Sequence, residues 1–167
     1  MTEPGWTRAA AAGLTFRAAT DADLPFLAQV YASTRTEELA LVPWSDAQKA
    51  AFLDMQFRAQ HVDYRKNSAN AEWLVILRGG EAIGRIYLER GERQHGIIDI
   101  TFLPGHRGRG YGTALLQDLI DEAAAARRAV SIYVEKHNPA RRLYARLGFR
   151  QIDGHGLYDR FEVGPGA

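Results

Sequence analysis

Short segments of alternating or continuous apolar residues recur along the chain and predict β-strands. They comprise residues 14–17, 72–90, 96–103, 129–134 and a last strand that contains Leu157, Tyr158 and Phe161. The turn "RGGE" divides residues 72–90 into the two arms of a hairpin.

The strand "GIIDITFL" has a regular alternation of side chains. Because successive side chains of a strand point to opposite faces, Ile98, Ile100 and Phe102 are predicted to share one face of the sheet. Asp99 and Thr101 are predicted to share the other face, so the strand presents a carboxylate opposite its apolar side.

Apolar residues three or four positions apart predict four helices. The first two open with capping boxes, formed by Thr20 with Asp23 and by Ser45 with Gln48. The segment "STRTEELALVPW" is predicted to connect these two helices, and residues 113–128 form the third. In the fourth, "NPARRLYARLGF", the asparagine is predicted as N-cap, the proline as first helical residue and the glycine as the C-terminal stop.

The order of elements, βααβββαβαβ, predicts an α/β fold with a mixed sheet. A length of 167 residues fits one domain with a sizeable core. Residues 1–13 are predicted to form a flexible N-terminal tail, and residues 163–167 a short C-terminal tail.

Composition narrows the function classes. Apolar residues make up 46% of the chain and the net charge is +1, so no basic patch for nucleic acid and no membrane span are expected. The absence of cysteine excludes disulfides, thiolate metal sites and a cysteine nucleophile. The five histidines show no metal-ligand spacing, so we expect no metal site and a soluble, cytoplasmic protein.

The stretch "PGHRGRGYGTALLQDLI" places a glycine-rich loop between a strand and a helix. Unpaired N–H groups at a helix start, together with glycines that allow close backbone approach, favour phosphate binding. A P-loop would need a lysine before Thr113, and a dinucleotide fingerprint would need a glycine at that position. An ordinary capping turn and a nucleotide site of another class remain alternatives.

The loop RGRGYG resembles the R/Q-x-x-G-x-G/A loop of the GNAT superfamily of N-acetyltransferases. "ITFLP" resembles the strand end that precedes this loop in the family, and "NPARRLYARLGF" resembles the family's second motif, A-x-x-x-Y-x-x-x-G-F. One departure is that Asn138 lies two residues before Ala140, whereas the family asparagine usually lies three before. The resemblance covers about residues 14–162, as a single acyl-CoA N-acyltransferase domain.

The resemblance implies a mixed, mostly antiparallel twisted sheet of about six or seven strands flanked by about four helices. It also implies acetyl-CoA as cosubstrate, with the loop around the pyrophosphate and a strand paired with the pantetheine arm. The cofactor-binding residues that it implies are Ile100, Thr101, Phe102, Arg107, Gly108, Arg109, Gly110, Tyr111, Gly112, Thr113 and Asn138.

Two residues are candidates for catalysis. Tyr144 occupies the family's general-acid position, where a phenol can protonate the departing thiolate. Asp99 is a candidate base for the acceptor ammonium; its alternatives are a binding site for a cationic substrate or a solvated strand residue.

The residues on the implied substrate side are Tyr31, Arg35, Glu38, Trp44, Arg85 and Tyr87, each with surface or core packing as its alternative. The predicted activity is acetyl transfer to a primary amine, on a small molecule or a peptide, by direct attack in a ternary complex. A non-catalytic acyl-CoA sensor of the same fold is the second hypothesis. The protein is expected to be a monomer or a homodimer.

Overall fold

A computed structural model describes residues 5–68 and 70–165, so the outer parts of both predicted tails, 1–4 and 166–167, lie outside the described residues. The seven strands are β1 Leu14–Ala18, β2 Glu72–Arg78, β3 Glu81–Arg90, β4 Gln94–Phe102, β5 Ala129–Glu135, β6 Arg150–His155 and β7 Tyr158–Val163. The helices are α1 Thr7–Ala11, α2 Leu24–Ser33, α3 Thr36–Ala40, α4 Asp46–Asn67, α5 Tyr111–Ala125 and α6 Arg141–Arg146. No helix in the described ranges is both long and apolar enough to span a membrane.

One sheet of seven strands, in the order β1-β2-β3-β4-β5-β7-β6, forms the centre of the molecule. Only the β4–β5 pair is parallel, and the other neighbours are antiparallel. The predicted mixed, mostly antiparallel sheet is therefore confirmed. The described residues contain six α-helices rather than four, because two short helices, α1 and α3, form in segments predicted as a tail and a connection.

The sheet separates two hydrophobic cores of unequal size. The larger core lies between the sheet and the helices α1, α5 and α6, and it includes Leu115, Leu116 and Leu119 of α5. The smaller core joins α2 and α4 to the sheet; its buried members are Leu27, Tyr31, Phe57 and Tyr87. The capping boxes at the starts of these two helix segments form as predicted, and Ser45 Oγ accepts the Gln48 N–H at 3.1 Å.

The amino-terminal segment is packed rather than loose. Trp6 and Ala9 are buried in the larger core, and the Trp6 ring meets Phe16 edge-on at 4.8 Å. The buried Asp118 carboxylate of α5 accepts the backbone N–H groups of Arg8 at 3.2 Å and Ala9 at 2.8 Å. Those N–H groups belong to the first turn of α1, where a helix offers no backbone carbonyl to accept them. Because α1 is docked in this way, the prediction of a flexible tail is wrong for this segment.

The end of α5 differs from the predicted residue 128. Arg127 adopts a left-handed conformation with φ of 58°, and the Arg128 N–H then reaches back to the Ala123 carbonyl at 2.8 Å. This pattern closes the helix at Ala125. The sequence did not indicate this helix end, because a left-handed residue after a helix is usually glycine and here it is arginine. Likewise, the predicted last strand is a hairpin of two strands, β6 and β7.

A β-bulge in β4 changes the faces predicted for "GIIDITFL". Tyr87 pairs with Asp99 and Leu88 pairs with Ile97, so Ile98 has no partner residue on β3. One extra residue reverses the alternation, and Ile98 packs against the smaller core while Ile100 and Phe102 belong to the larger one. The prediction that all three share a face is therefore wrong for Ile98.

The docking of α1 on α5 predicts an unequal effect of two neighbouring carboxylates. Asp118→Ala should lower the free energy of unfolding by about 1–3 kcal/mol, because one buried and one partly buried N–H group lose their acceptor. Asp121→Ala removes an exposed ion pair with Arg8 and should have a much smaller effect. Urea denaturation of both variants measures the difference, and equal effects would contradict the capping role of Asp118.

Candidate active site

The two parallel strands at the centre of the sheet separate halfway along their length. β4 pairs with β5 only from Gln94 to Ile97, opposite Ala129 to Ile132. Beyond Ile97, β4 continues to Phe102 along β3, while β5 continues to Glu135 along β7. Within the described ranges no strand pairs with this second half of β4 on the β5 side, so the backbone there borders a cleft.

The loop that follows β4 leads directly into α5. Gly108 and Gly110 have φ of 72° and 83°, in the left-handed region that only glycine adopts without strain. A Cβ atom at either position would meet nothing within 4 Å, so the backbone conformation, not packing, requires glycine. No side chain of the described residues caps α5, and the N–H groups of its first turn are available to an anion.

The two loop arginines differ in their surroundings. Arg107 donates from Nε to the Phe102 carbonyl at 2.8 Å and from Nη2 to Ser33 Oγ at 3.2 Å. Its side chain therefore connects the loop to the end of β4 and to α2. The sequence predicts instead that Arg107 supplies positive charge to bind a phosphate. Arg109 is exposed beside the start of α5.

Ile100, Thr101 and Phe102, predicted to lie in a strand, form the second half of β4. Phe102 packs against Tyr111 with ring centroids 6.1 Å apart, which connects the strand end to the first residue of α5. On the other side, a Cβ atom on Gly84 of β3 would collide with the Thr101 carbonyl oxygen. Glycine at this position therefore permits the close approach of β3 to β4.

Asp99 is held by two neighbouring side chains. Arg85 Nε donates to Asp99 Oδ2 at 2.5 Å, and Thr101 Oγ1 donates to Asp99 Oδ1 at 3.0 Å. Arg85 is only 2% exposed, and its guanidinium lies 4.9 Å from the centre of the Tyr87 ring. The structure thus joins four predicted site residues in one cluster, Asp99 and Thr101 of β4 with Arg85 and Tyr87 of β3.

Tyr144 lies on α6 and is buried in the larger core, where its ring packs against Phe149. Burial raises the pKa of the Tyr144 phenol to about 12, and the negative charge of Asp99 contributes to the rise. At neutral pH the phenol is protonated and can donate a proton or a hydrogen bond.

Asn138 caps a turn, not the helix itself. Its Oδ1 accepts the Ala140 N–H at 2.9 Å, and α6 begins one residue later at Arg141. The predicted helix start is therefore two residues too early, because Pro139 occupies this turn. The prediction that Asn138 is the N-cap of this helix is therefore wrong, since Ala140 holds that position and no side chain in the described part of the chain caps α6.

A cavity of about 310 Å³ lies at the far end of β5. Its lining residues are Arg35, Glu38, Glu135, Lys136, His137, Leu157 and Tyr158. Arg35 donates to Glu38 at 3.1 Å and to Glu135 at 2.9 Å, and so connects the α2–α3 segment to the end of β5. Two predicted substrate residues, Arg35 and Glu38, are thus part of this cavity.

The other five lining residues were missed from the sequence. They lie at the end of β5 and just after it, or at the β6–β7 turn and the start of β7. No motif marks them, and the only available signal was their position near strand ends. Conversely, Tyr31 and Tyr87 are buried in the smaller core. Trp44 packs against Phe52 at 5.2 Å and is not among the lining residues.

Comparison with known proteins agrees with these features. Residues 29–149 match the family model described as "Acetyltransferase (GNAT) family". No curated protein sequence matches the chain.

Solved structures with the same fold include three acetyltransferases. PaiA N-acetyltransferase from Thermoplasma acidophilum, in complex with coenzyme A, is 16% identical, with 89% of this chain and 97% of that chain covered and a TM-score of 0.63. An acetyltransferase from Thermus thermophilus is 20% identical, with 90% and 96% covered and a TM-score of 0.64. Spermidine N-acetyltransferase from Vibrio cholerae, in complex with CoA and spermine, is 19% identical, with 91% and 95% covered and a TM-score of 0.60.

The raised pKa of Tyr144 predicts a loss of stability at alkaline pH. The phenol ionises near pH 10 in the unfolded chain and near pH 12 in the folded protein. The neutral phenol therefore contributes on the order of 2 kcal/mol to the free energy of unfolding. This contribution is complete below pH 10 and is lost as the pH rises to about 12. We expect Tyr144→Phe to flatten the decrease in the free energy of unfolding over this range, as measured by urea titration at a series of pH values.

Tyr133→Phe provides the control, because Tyr133 is exposed and its phenol already contacts solvent. In this variant the free energy of unfolding should decrease with pH between 10 and 12 as steeply as in the parent protein. A Tyr144→Phe variant with that same slope would show that the phenol titrates normally.

Proposed function

The chain belongs to the acetyltransferase (GNAT) family, and on this premise we propose that it transfers an acetyl group from acetyl-CoA to a primary amine by direct attack in a ternary complex. The observation that carries the proposal is the continuity between the open edge of β4 and the uncapped start of α5. One linear molecule that combines amide groups with a pyrophosphate fits both features at once.

The residues present fit acetyl-CoA. Backbone groups of Ile100, Thr101 and Phe102 border the cleft and can continue a ladder with the pantetheine amides. The N–H groups of the first turn of α5 suit the pyrophosphate, and glycines 108 and 110 leave space for it. Arg109 adds positive charge, while Arg107 keeps the loop in position through its bonds to Phe102 and Ser33.

Acetyl-CoA, when bound, supplies the thioester carbonyl that the amine attacks. Tyr144 then donates a proton to the sulfur as the carbon–sulfur bond breaks, since its phenol is protonated at neutral pH. In this proposal Asp99 attracts the ammonium form of the amine and accepts one proton from it, directly or through water, before the neutral amine attacks. The second proton, which the nitrogen loses as the amide forms, replaces the proton that Tyr144 donates. The chain contains no cysteine, which excludes an acyl-cysteine route and favours direct attack.

The cavity at the end of β5 is proposed as the acceptor site. Its formal charges balance, with Arg35 and Lys136 against Glu38 and Glu135 when His137 is counted as neutral. A polyamine carries several positive charges and is better matched by an acidic site. We therefore propose a small-molecule or peptide acceptor with a single amino group, unlike the spermine seen in the Vibrio cholerae enzyme.

The release of free thiol from acetyl-CoA tests this proposal against a non-catalytic acyl-CoA sensor. A panel of acceptors should include monoamines, amino acids, peptides and spermine. Thiol release that depends on a monoamine or a peptide, together with the acetylated product in the mass spectrum, is expected. Tight binding of acetyl-CoA without transfer to any amine would favour the sensor.

Binding of acetyl-CoA should depend on Gly110. Gly110→Ala places a methyl group in the space proposed for the pyrophosphate and strains a backbone with φ of 83°. We expect at least a tenfold loss of acetyl-CoA affinity by calorimetry. Gly80→Ala is the matched control, because Gly80 has φ of 81° and similarly open surroundings in the β2–β3 turn.

Both glycine variants incur the same left-handed strain, about 1–2 kcal/mol. They should therefore lose similar thermal stability, and only the loop variant should lose affinity. Equal affinities in the two variants would place the pyrophosphate elsewhere.

Tyr144→Phe should lower kcat by roughly 10²-fold or somewhat less, which is the lower end of general acid catalysis. The low end is expected because a thiolate with a pKa near ~8.5 also leaves without full protonation. Acetyl-CoA affinity should change little, and thioesters of more acidic thiols should restore the rate. Steady-state kinetics of Tyr144→Phe, with Tyr133→Phe as control, measure the change in kcat. A kcat of Tyr144→Phe within about twofold of the parent would exclude Tyr144 as the acid.

A further inference from the structure

The buried arginine of β3 contacts the candidate catalytic residue Asp99, but it is not among the residues that line the proposed acceptor cavity. We propose that Arg85 is a positioning residue, which holds Asp99 as a fixed carboxylate for the ammonium group of the acceptor. The inference rests on the proposed acetyl transfer, and it replaces the direct substrate contact that the sequence predicts for Arg85.

The sheet register places the two residues together. Arg85 pairs with Thr101 across the β3–β4 ladder, and Asp99 lies two residues before Thr101. The bulge at Ile98 sets the direction of this segment, so the Asp99 carboxylate reaches Arg85 Nε at 2.5 Å. Since Thr101 binds the other carboxylate oxygen, both oxygens of Asp99 have defined positions.

Arg85 itself is enclosed on several sides. Its Nη2 donates to Gln60 Oε1 of α4 at 3.2 Å, and the Tyr87 ring lies against the guanidinium. Its Nη1 is buried and has no hydrogen-bond partner among the described residues. A nitrogen without solvent contact is not reached by a substrate unless the site opens, whereas the Asp99 side chain is 21% exposed.

The other titratable groups around Asp99 are uncharged at neutral pH. Burial, with the added charge of Asp99, raises the pKa of Tyr64 on α4. Burial also raises the pKa of Tyr87 on β3, although the positive charge of Arg85 opposes the rise. Tyr144 on α6 behaves in the same way as Tyr64. His61 on α4 has a lowered pKa because of burial and the positive charge of Arg65 and Arg85.

Arg85 is consequently the one ion-pair partner of Asp99 among the described residues. Loss of this cation leaves a largely buried carboxylate unpaired, and burial then favours the neutral acid. The acceptor ammonium would lose both the negative charge and its fixed position. The proposal thus predicts that Arg85 affects kcat/KM for the amine only when Asp99 is present.

A double-mutant cycle tests this dependence. The variants are Arg85→Gln, Asp99→Asn and the combination, assayed as kcat/KM for the best amine of the panel over a range of pH. Arg85→Gln alone should lower kcat/KM by roughly 10- to 100-fold and move its acidic limb upward by about 1–3 pH units. In the Asp99→Asn background the same change should alter kcat/KM by no more than about twofold.

The control is Arg90→Gln, which removes an arginine of the same strand that pairs with Glu72 and Glu122, away from Asp99. It should lower stability and leave the pH profile unchanged. Acetyl-CoA affinity, measured by calorimetry, should stay within about twofold of the parent in all four variants. An equal loss from Arg85→Gln in both backgrounds would overturn the proposal.

If Arg85→Gln does not fold, Arg85→Lys and Thr101→Val carry the test. Arg85→Lys keeps the charge but not the two-sided contact with Asp99 and Gln60, and Thr101→Val removes one of the two bonds that fix the carboxylate. Both should lower kcat/KM for the amine with acetyl-CoA affinity retained, and unchanged kcat/KM in both would overturn the proposal. A parent protein that acetylates no amine would instead reject the proposed function.

Discussion

The separation of β4 from β5 is the constraint on which the site depends. A central pair of parallel strands normally stays hydrogen-bonded along its length, because unpaired backbone groups inside a protein are costly. Here the pairing ends at Ile97, next to the bulge at Ile98, and bulges increase local twist. The second half of β4 therefore keeps backbone groups for a ligand, at a point that is still inside the sheet.

The elements on either side of this gap supply different chemistry. On the side of the larger core, α5 begins within one residue of a left-handed glycine, and α6 carries a buried phenol. On the other side, Asp99 with Arg85 and the cavity near Arg35 provide charge. In the proposed reaction the thioester and the amine would meet at this gap, one from each side of the sheet.

Local sequence signals predicted those parts of the fold that depend on neighbouring residues. The glycine loop before α5, the capping boxes and the "RGGE" hairpin each have a signature within a few positions, and each lies where it was expected. The family resemblance directed attention to Tyr144. The effect of the Asp99 charge on the pKa of Tyr144 depends on the tertiary fold and was not available from residue spacing alone.

The unpredicted features depend on distant contacts. The first turn of α1 is capped by Asp118, more than a hundred positions away, so Ala-rich sequence near the N-terminus gave no sign of a docked helix. The bulge at Ile98 shows only in the pairing with β3. The cavity residues after β5 and in the β6–β7 turn meet Arg35 through the topology of the sheet, and no local pattern indicates such a contact.

The unequal size of the two cores has a consequence for motion. The 22 residues of α4 contribute one fully buried side chain, Phe57, whereas α5 buries six residues. Segments with few buried apolar groups open locally at a lower free energy than the rest of a protein. Amide hydrogen exchange should consequently be faster in α4 than in α5, so the layer that covers Arg85 and Asp99 can open transiently while the other layer stays closed.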